Sequence, residues 1–304
     1  MPLHLNSVTN DSDNSNVLAW IFSQVNDSEL GFASKNSNYI HLFKPLVDSI
    51  SKKQIGRIVY TLKNNDAEKR LEVLDVDIVF ENSQSVDLSF LSLRKGSSDS
   101  NEYYDVELKN GKSGHMSIET VNRHMIEEEI CGTTRKVHLC AFPFKLSLYN
   151  SMEALNKALG FTKPVKVGDT DFEVSGFSDE FVAPGDLFGA EDGETFSFIL
   201  GRIESYREVL LQMGKINLPF ILADVTTGAG TIPIPMGKEV FNLQELHEGS
   251  YVAMHADVKA DFADAYQKNI VTGADGTENK EISDEKGANK GLFGKIKRKF
   301  RKQD

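Results

Sequence analysis

Cysteine is scarce in this chain of 304 residues, which contains only Cys131 and Cys140. Two thiols are too few for a disulfide framework, so both are expected to be reduced residues of the interior. No apolar run approaches the ~18 residues that a membrane-spanning helix needs. The first sixteen residues have neither a basic start nor an apolar core. No signal peptide is therefore predicted, and a cytoplasmic location is expected.

The motifs that identify common enzyme classes are also missing. The sequence contains no glycine-rich phosphate loop and no G-x-S-x-G motif, and neither cysteine belongs to a C-x-x-C pair. No cofactor and no metal ion are predicted. These absences favour a non-enzymatic accessory or adaptor protein that binds a protein partner.

Charge is distributed unevenly along the chain. The formal net charge is −11, but residues 290–304 contain seven basic residues and one acid, which leaves −17 for residues 1–289. Nucleic-acid phosphates are bound mainly through Lys and Arg. An acidic body of this kind makes nucleic acid an unfavoured partner.

The pattern of apolar and turn residues predicts an α+β protein, with an N-terminal antiparallel sheet accompanied by helices. Helices are predicted at 17–25, 45–54, 117–130, 151–159 and 243–247, and the intervening alternating segments are predicted strands. The predicted parts are a flexible N-terminus (1–16), an α+β domain (17–165), a connector (166–193), a small β-domain (194–264), a disordered linker (265–289) and a basic tail (290–304).

Four strand-like segments of the small β-domain follow one another in a familiar order. They read FSFILGRIESYREV, LPFILADVTTG, TIPIPM and YVAMHADVKADF, and a helix-turn segment, LQELHEG, precedes the last. Residues 196–262 therefore resemble an OB-fold, a barrel that has five strands.

The OB-fold resemblance implies a nucleic-acid-binding module as one alternative function. In that alternative aromatic residues stack on bases beside basic residues. The candidates are Phe198, Tyr206 and Phe220 beside Arg202, Arg207 and Lys215. The competing interpretation is that these aromatic residues fill the core of a small barrel.

A second alternative is a metal-dependent nuclease. Asp87 on one predicted strand and the Glu107-Leu108-Lys109 run on the next resemble the motif of PD-(D/E)XK nucleases. The resemblance implies that Asp87 and Glu107 bind a divalent cation and that Lys109 is the positioned lysine. The competing interpretation is the solvent-facing side of an antiparallel sheet, where such residues are common.

Two histidines and a glutamate offer a weaker metal-binding pattern. His124 and Glu128 would lie one turn apart on the predicted helix at 117–130, with His115 just before it. A helical pair supplies two ligands, whereas a catalytic zinc site uses three from the protein. The sequence therefore favours an exposed helix face.

The C-terminal tail has the layout of a basic amphipathic helix. At ~100° per residue its apolar side chains fall on one face and its basic side chains surround them. The apolar residues are Leu292, Phe293, Ile296 and Phe300, and the basic ones are Lys295, Lys297, Arg298, Lys299, Arg301 and Lys302. This layout predicts binding to an anionic membrane surface, peripheral to its inner face. The competing interpretations are a solvated basic terminus and a terminus that folds back on the acidic body.

Overall fold

β-Strands dominate the part of the chain that the structure describes. A computed structural model describes residues 7–9, 11–33, 38–65, 70–95, 102–109, 114–126, 128–160, 165–167, 170–172, 176, 180–185, 195–263 and 265. The predicted α+β class is wrong, because these residues form fifteen strands and two α-helices. The predicted linker beyond residue 265 and the tail at 290–304 lie outside the described residues.

The two α-helices are α1 (Asp11–Ser23) and α2 (Met152–Ala158). The strands are β1 (Glu29–Ala33), β2 (Tyr39–Val47), β3 (Gln54–Asn65), β4 (Arg70–Phe80), β5 (Val86–Lys95), β6 (Glu102–Leu108), β7 (His115–Thr120), β8 (Thr134–Tyr149), β9 (Val165–Val167), β10 (Thr170–Phe172), β11 (Val182–Pro184), β12 (Ser197–Met213), β13 (Ile216–Thr227), β14 (Gly230–Gly237) and β15 (Tyr251–Phe262). Neither described α-helix has the ~18 apolar residues that a membrane-spanning helix requires.

Two of the predicted helices are present. α1 begins at Asp11, earlier than the pattern of apolar residues indicated. α2 begins one residue after the start of the helix predicted at 151–159, and the Ser151 hydroxyl accepts a hydrogen bond from the Ala154 N–H at 3.1 Å. A serine at this position satisfies one of the free N–H groups at the start of a helix.

The predicted helix at 45–54 is wrong, because residues 48–53 form a turn and the flanking residues belong to β2 and β3. The Asp48 carboxylate accepts hydrogen bonds from the N–H groups of Ile50 at 3.1 Å and Ser51 at 2.9 Å. An aspartate that bonds to N–H groups two and three residues further on stabilises a turn. Pro45 is part of β2 and lies opposite Arg57 of β3.

The predicted helix at 117–130 is also wrong, because most of its first half belongs to β7. Met116 and Ile118 alternate with polar neighbours and are fully buried, which is the period of a strand. A short 3-10 turn at Arg123–Met125 follows. The predicted helix at 243–247 is wrong because these residues form turns. The Ser250 hydroxyl donates to the Glu245 carbonyl and closes one of them.

Strands β1 to β4 form a four-stranded antiparallel sheet in that order. Helix α1 covers one of its faces, where the Tyr60 hydroxyl donates to the carbonyl of Ile21 at 2.6 Å. Because side chains alternate along a strand, Arg57 and Thr61 of β3 point to the opposite face. That second face packs against β15 and its neighbours.

Five further strands close into a ring. β15 pairs with β8 along its whole length and with the end of β7 through Lys259 and Ala260. β7, β6, β5 and β8 are then neighbours in that order. A hydrophobic core fills the ring, with Phe90, Met116 and Phe262 among its fully buried members.

The segment that resembles an OB-fold contributes β12 to β15, with the neighbour order β14-β13-β12-β15. Its last strand also pairs with β8, which lies outside the segment. The Asn82 amide bridges β8 and β14, since it donates to the carbonyls of Leu139 at 2.9 Å and Thr231 at 3.0 Å.

Met1–Gln267 cluster as one compact unit, in which both predicted domains share the sheet built around β15. Whether residues 17–165 and 194–264 fold independently stays a prediction.

Candidate functional site

A cleft of about 990 Å³ lies between the four-stranded sheet and strands β12 to β14. Val79 and Phe80 of β4 form part of one wall, and Thr226 and Thr231 form part of the other. The end of β15 contributes Asp261 and Phe262. The two sheets and the end of β15 therefore meet at this cleft.

The wall formed by β12 and β13 is polar and carries both signs of charge. A bulge between Ile203 and Ser205 interrupts the pairing of β12 with β13. Ser205 donates to the Asp224 carboxylate at 2.9 Å, and Glu204 pairs with Arg202 at 3.1 Å. Arg207 is exposed on the same strand and forms no ion pair within the described part of the chain.

A buried carboxylate at the edge of the cleft links three elements. Asp261 of β15 forms an ion pair with Arg57 of β3 and accepts a hydrogen bond from the Asn122 amide at 2.6 Å. The side-chain oxygen of Asn122, Oδ1, also accepts a hydrogen bond from the Phe262 N–H at 2.9 Å. The Arg57 guanidinium lies 4.9 Å from the ring centroid of Phe43. These contacts fix the end of β15 against the four-stranded sheet.

Next to this pair lies a cluster of four charged side chains, here called the lysine cluster: Lys259, Asp77, Glu119 and Asp75. The Lys259 ammonium lies 2.7 Å from Asp77 Oδ1 of β4 and 2.6 Å from Glu119 Oε2 of β7. These three side chains are each at most 5% exposed. Oxygens of the three carboxylates lie within 4.8 Å of one another.

Burial and neighbouring charges shift the pKa values in this cluster. Burial, and then the charge of Asp77, raise the pKa of Asp75 to about 7, although Lys259 acts in the opposite direction. Burial alone would lower the pKa of Lys259. The Asp77 and Glu119 carboxylates outweigh that effect and raise the Lys259 pKa above its usual range. Lys259 is therefore charged at neutral pH.

The carboxylates of the lysine cluster are the described acidic groups arranged closely enough to hold a metal ion. The Lys259 ammonium already contacts two of the three. Buried charges are satisfied by pairing or by a metal, and here pairing with lysine provides the compensation. The arrangement is a set of ion pairs between the four-stranded sheet and the ring.

A row of polar side chains extends from the lysine cluster across the four-stranded sheet. Asp75 of β4 lies opposite Thr61 of β3, which lies opposite His41 of β2. The His41 Nε2 and Thr61 Oγ1 atoms are 3.2 Å apart. Burial, and then the charges of His124 and Arg57, lower the pKa of His41 to about 3. His41 is therefore neutral at ordinary pH.

The nuclease alternative placed its site on β5 and β6. Lys109 Nζ lies 2.5 Å from Glu107 Oε2, and both side chains are well exposed. Asp87 is exposed on β5, where its carbonyl accepts a hydrogen bond from the Lys109 N–H at 3.1 Å. The three residues are neighbours on the surface, and their role stays a prediction.

Two of the three aromatic residues proposed to stack on bases are core residues. Phe198 is 4% exposed and Phe220 is fully buried, so neither presents a ring face to a ligand. Tyr206 is 40% exposed.

The metal-binding pattern of His124 and Glu128 required a helix at 117–130, and the structure has a strand and a short 3-10 turn in the first part of this segment. His124 stacks on Tyr39 with the ring centroids 4.6 Å apart, and Glu128 pairs with Arg135 at 2.6 Å.

The lysine cluster was not predicted from the sequence, although the sequence contains a signal for it. Asp75 and Asp77 interrupt the apolar run LDVDIVF, and Lys259 interrupts VAMHADVKADF. A charged residue in a strand that is buried on both faces needs an opposite charge nearby. The sequence alone does not say which strands would bring those charges together.

Comparisons with known proteins do not assign this chain to a family. No family model matches it, and no curated protein matches it. Among solved structures it is similar to the cytoplasmic molybdate-binding protein ModG in its molybdate-bound crystal form. The identity is 10%, the match covers 58% of this chain and 90% of ModG, and the TM-score is 0.28. A similarity this low supports no conclusion about fold or ligand.

Removal of the ammonium from the lysine cluster should strongly destabilise the protein. We expect Lys259→Met to lower the free energy of unfolding by about 3–5 kcal/mol, because Asp77 and Glu119 would stay buried without their counter-charge. Lys238→Met is the matched control, since Lys238 pairs with Glu208 at 2.6 Å on the surface. Its expected effect is at most about 1 kcal/mol. Urea denaturation at neutral pH measures both, and similar losses in the two variants would contradict the prediction.

Proposed function

We propose that this protein is a non-enzymatic adaptor that binds a protein partner in the cleft. The observation that carries the proposal is the character of the cleft, which is open and is lined by polar groups and by charges of both signs. Small-molecule pockets are mostly apolar, with a small number of polar groups. Complementary charges arranged across a wide surface are typical of protein recognition, where they give specificity and speed association.

The hydroxyl groups of the β12 to β14 wall support a binding role. Ser205 donates to Asp224, and the hydroxyls of Thr226 and Thr231 lie 3.2 Å apart. These hydroxyls are therefore held by neighbouring side chains of the wall. The His138 Nδ1 atom on the other side of the cleft lies 3.0 Å from the carbonyl oxygen of Gln84. That nitrogen is therefore hydrogen-bonded to the protein's own backbone.

Charge reversal on the cleft wall tests this proposal. We expect Arg207→Glu to reduce recovery of a captured partner at least tenfold, because an unpaired guanidinium there would be replaced by a carboxylate in an acidic protein. Lys215→Glu is the matched control: it makes the same charge change in the same hairpin, but Lys215 does not line the cleft. The measurement is quantitative mass spectrometry after affinity capture with wild type and both variants.

The proposal is supported only if partner capture changes when the charge of the cleft wall is reversed. The expected pattern is a specific protein retained by wild type and by Lys215→Glu but lost by Arg207→Glu. A set of captured proteins that is identical for all three chains would contradict it.

We also propose that the tail holds this adaptor at an anionic membrane surface, as a cytoplasmic protein peripheral to the membrane. The support is the sequence of residues 290–304, in which four apolar residues share one helical face among seven basic residues. Apolar side chains enter the boundary between headgroups and acyl chains, while Lys and Arg contact anionic lipid. Each basic residue near such a surface contributes about 1 kcal/mol.

Two sets of substitutions separate the apolar and electrostatic contributions of the tail. Phe293→Ser with Phe300→Ser should weaken vesicle binding at every salt concentration, because each buried phenylalanine contributes roughly 1.5–3 kcal/mol. Replacing Lys297, Arg298 and Lys299 by Gln should weaken binding mainly at low salt, since this attraction is screened. Co-sedimentation of the full chain with vesicles containing phosphatidylserine measures both effects. Sedimentation that ignores both sets, or that does not occur, would contradict membrane tethering.

The other two functions have less support. A nuclease site would need Asp87 to join Glu107 around one ion, and Glu107 forms a surface ion pair with Lys109. A nucleic-acid-binding surface on β12 and β13 would retain one exposed aromatic residue of the three proposed, Tyr206. We therefore consider the nuclease and the nucleic-acid-binding functions less well supported than the adaptor function.

A further inference from the structure

The contact between the four-stranded sheet and the ring, here called the seam, is built on the same strands as the cleft. Asp77 of β4 holds Lys259 of β15 across the seam at 2.7 Å. Two residues further along these strands, Val79 and Asp261 line the cleft. A change in the contacts of the seam would therefore move a wall of the cleft.

The seam contains more negative than positive charge. Three carboxylates surround one ammonium, and their oxygens lie within 4.8 Å of one another. Like charges at this separation repel strongly where water is largely excluded. Asp75 is the half-buried member of the group, and its carboxylate accepts a hydrogen bond from the Val76 N–H at 2.9 Å. It can therefore exchange a proton with solvent while Asp77 and Glu119 stay buried against Lys259.

We propose that the seam is a proton-controlled latch, in which loss of the proton from Asp75 loosens the four-stranded sheet from β15 and widens the cleft. The proposal rests on the proposed function only for its consequence, which is that partner binding depends on pH. The latch itself requires no partner.

The groups that face Asp75 determine the direction of the pH effect. They are Asp77 on its own strand, Glu119 on β7 and Lys259 on β15, with Thr61 opposite it on β3. His41 lies beyond Thr61 on β2 and is neutral, since its pKa is about 3. Lys259 is charged throughout, because its pKa is raised. Asp75 therefore changes charge near neutral pH while Lys259 stays charged and His41 stays neutral.

Opening of the seam should become easier as the pH rises. The pKa of Asp75 is about 7 in the closed seam, against an ordinary value of 3.8 once the carboxyl is solvated. Between these two values the closed form holds a proton that the open form has released, so rising pH favours opening. The open fraction should increase about tenfold between pH 6 and pH 8 and level off above that range.

Cys140 is a natural reporter of this opening. It is fully buried on β8, lies opposite Lys259 and belongs to the same apolar cluster as Val59 and Phe80 of the four-stranded sheet. Burial raises its pKa to about 12, so the closed form should react poorly with alkylating reagents. Exposure of the seam would make the thiol reactive.

The experiment is alkylation of Cys140 by iodoacetamide in the Cys131→Ser protein, with and without Asp75→Asn, at pH 6 and pH 8. The ratio of the two rates at one pH cancels the intrinsic reactivity of the thiol. We expect this ratio, wild type over Asp75→Asn, to be about tenfold larger at pH 8 than at pH 6. Asp87→Asn on the exposed part of β5 is the matched control and should leave the rate unchanged at both pH values.

A second thiol distinguishes opening of the seam from unfolding of the whole protein. Ala141 is fully buried and faces the core of the ring on the same strand. The Ala141→Cys chain that lacks both native cysteines should show no such pH-dependent ratio. An equal change at both thiols, or a ratio at Cys140 that does not change with pH, would overturn the latch. Neither result tests the proposed partner binding, because the alkylation experiment contains no partner protein.

Discussion

The ammonium of Lys259 joins two parts of the fold that belong to separate β-sheets. It contacts Asp77 of the four-stranded sheet and Glu119 of the ring, and all three side chains are almost completely buried. Transfer of an ion from water into such an environment costs several kcal/mol even after relaxation, so the charges are tolerated only as a set. This requirement fixes how β4, β7 and β15 lie against one another. The neighbouring pair of Arg57 with Asp261 repeats the arrangement at the edge of the cleft.

The position of the cleft follows from these ionic contacts. β4 and β15 continue from the lysine cluster directly into the cleft walls, so the shape of the cleft depends on how the seam is closed. Aromatic packing adds an apolar contact nearby, since the ring centroid of Phe80 lies 5.7 Å from that of Phe142 and 5.8 Å from that of Phe220. The apolar contacts are insensitive to pH, whereas the carboxyl of Asp75 is not. Binding in the cleft is therefore expected to depend on protonation at the seam.

Local patterns in the sequence predicted most of the strands but few of the features that require distant contacts. β15 was predicted with its observed bounds, and the helix predicted at 151–159 contains α2. The helix predicted at 117–130 failed because most of its first half pairs as β7 with β6 and β15, and β15 is remote in sequence. The candidate site was missed for the same reason. Asp77 and Lys259 are separated by 182 residues, and no local rule pairs them.

The charges of the lysine cluster stabilise the fold only as a matched set. The free energy of unfolding of Lys259→Met, compared with that of the triple variant Lys259→Met, Asp77→Leu, Glu119→Met, tests this dependence. We expect the triple variant to regain most of the stability lost by the single one, because it buries no uncompensated carboxylate at these two positions. A triple variant that is as unstable as Lys259→Met, or less stable, would contradict it.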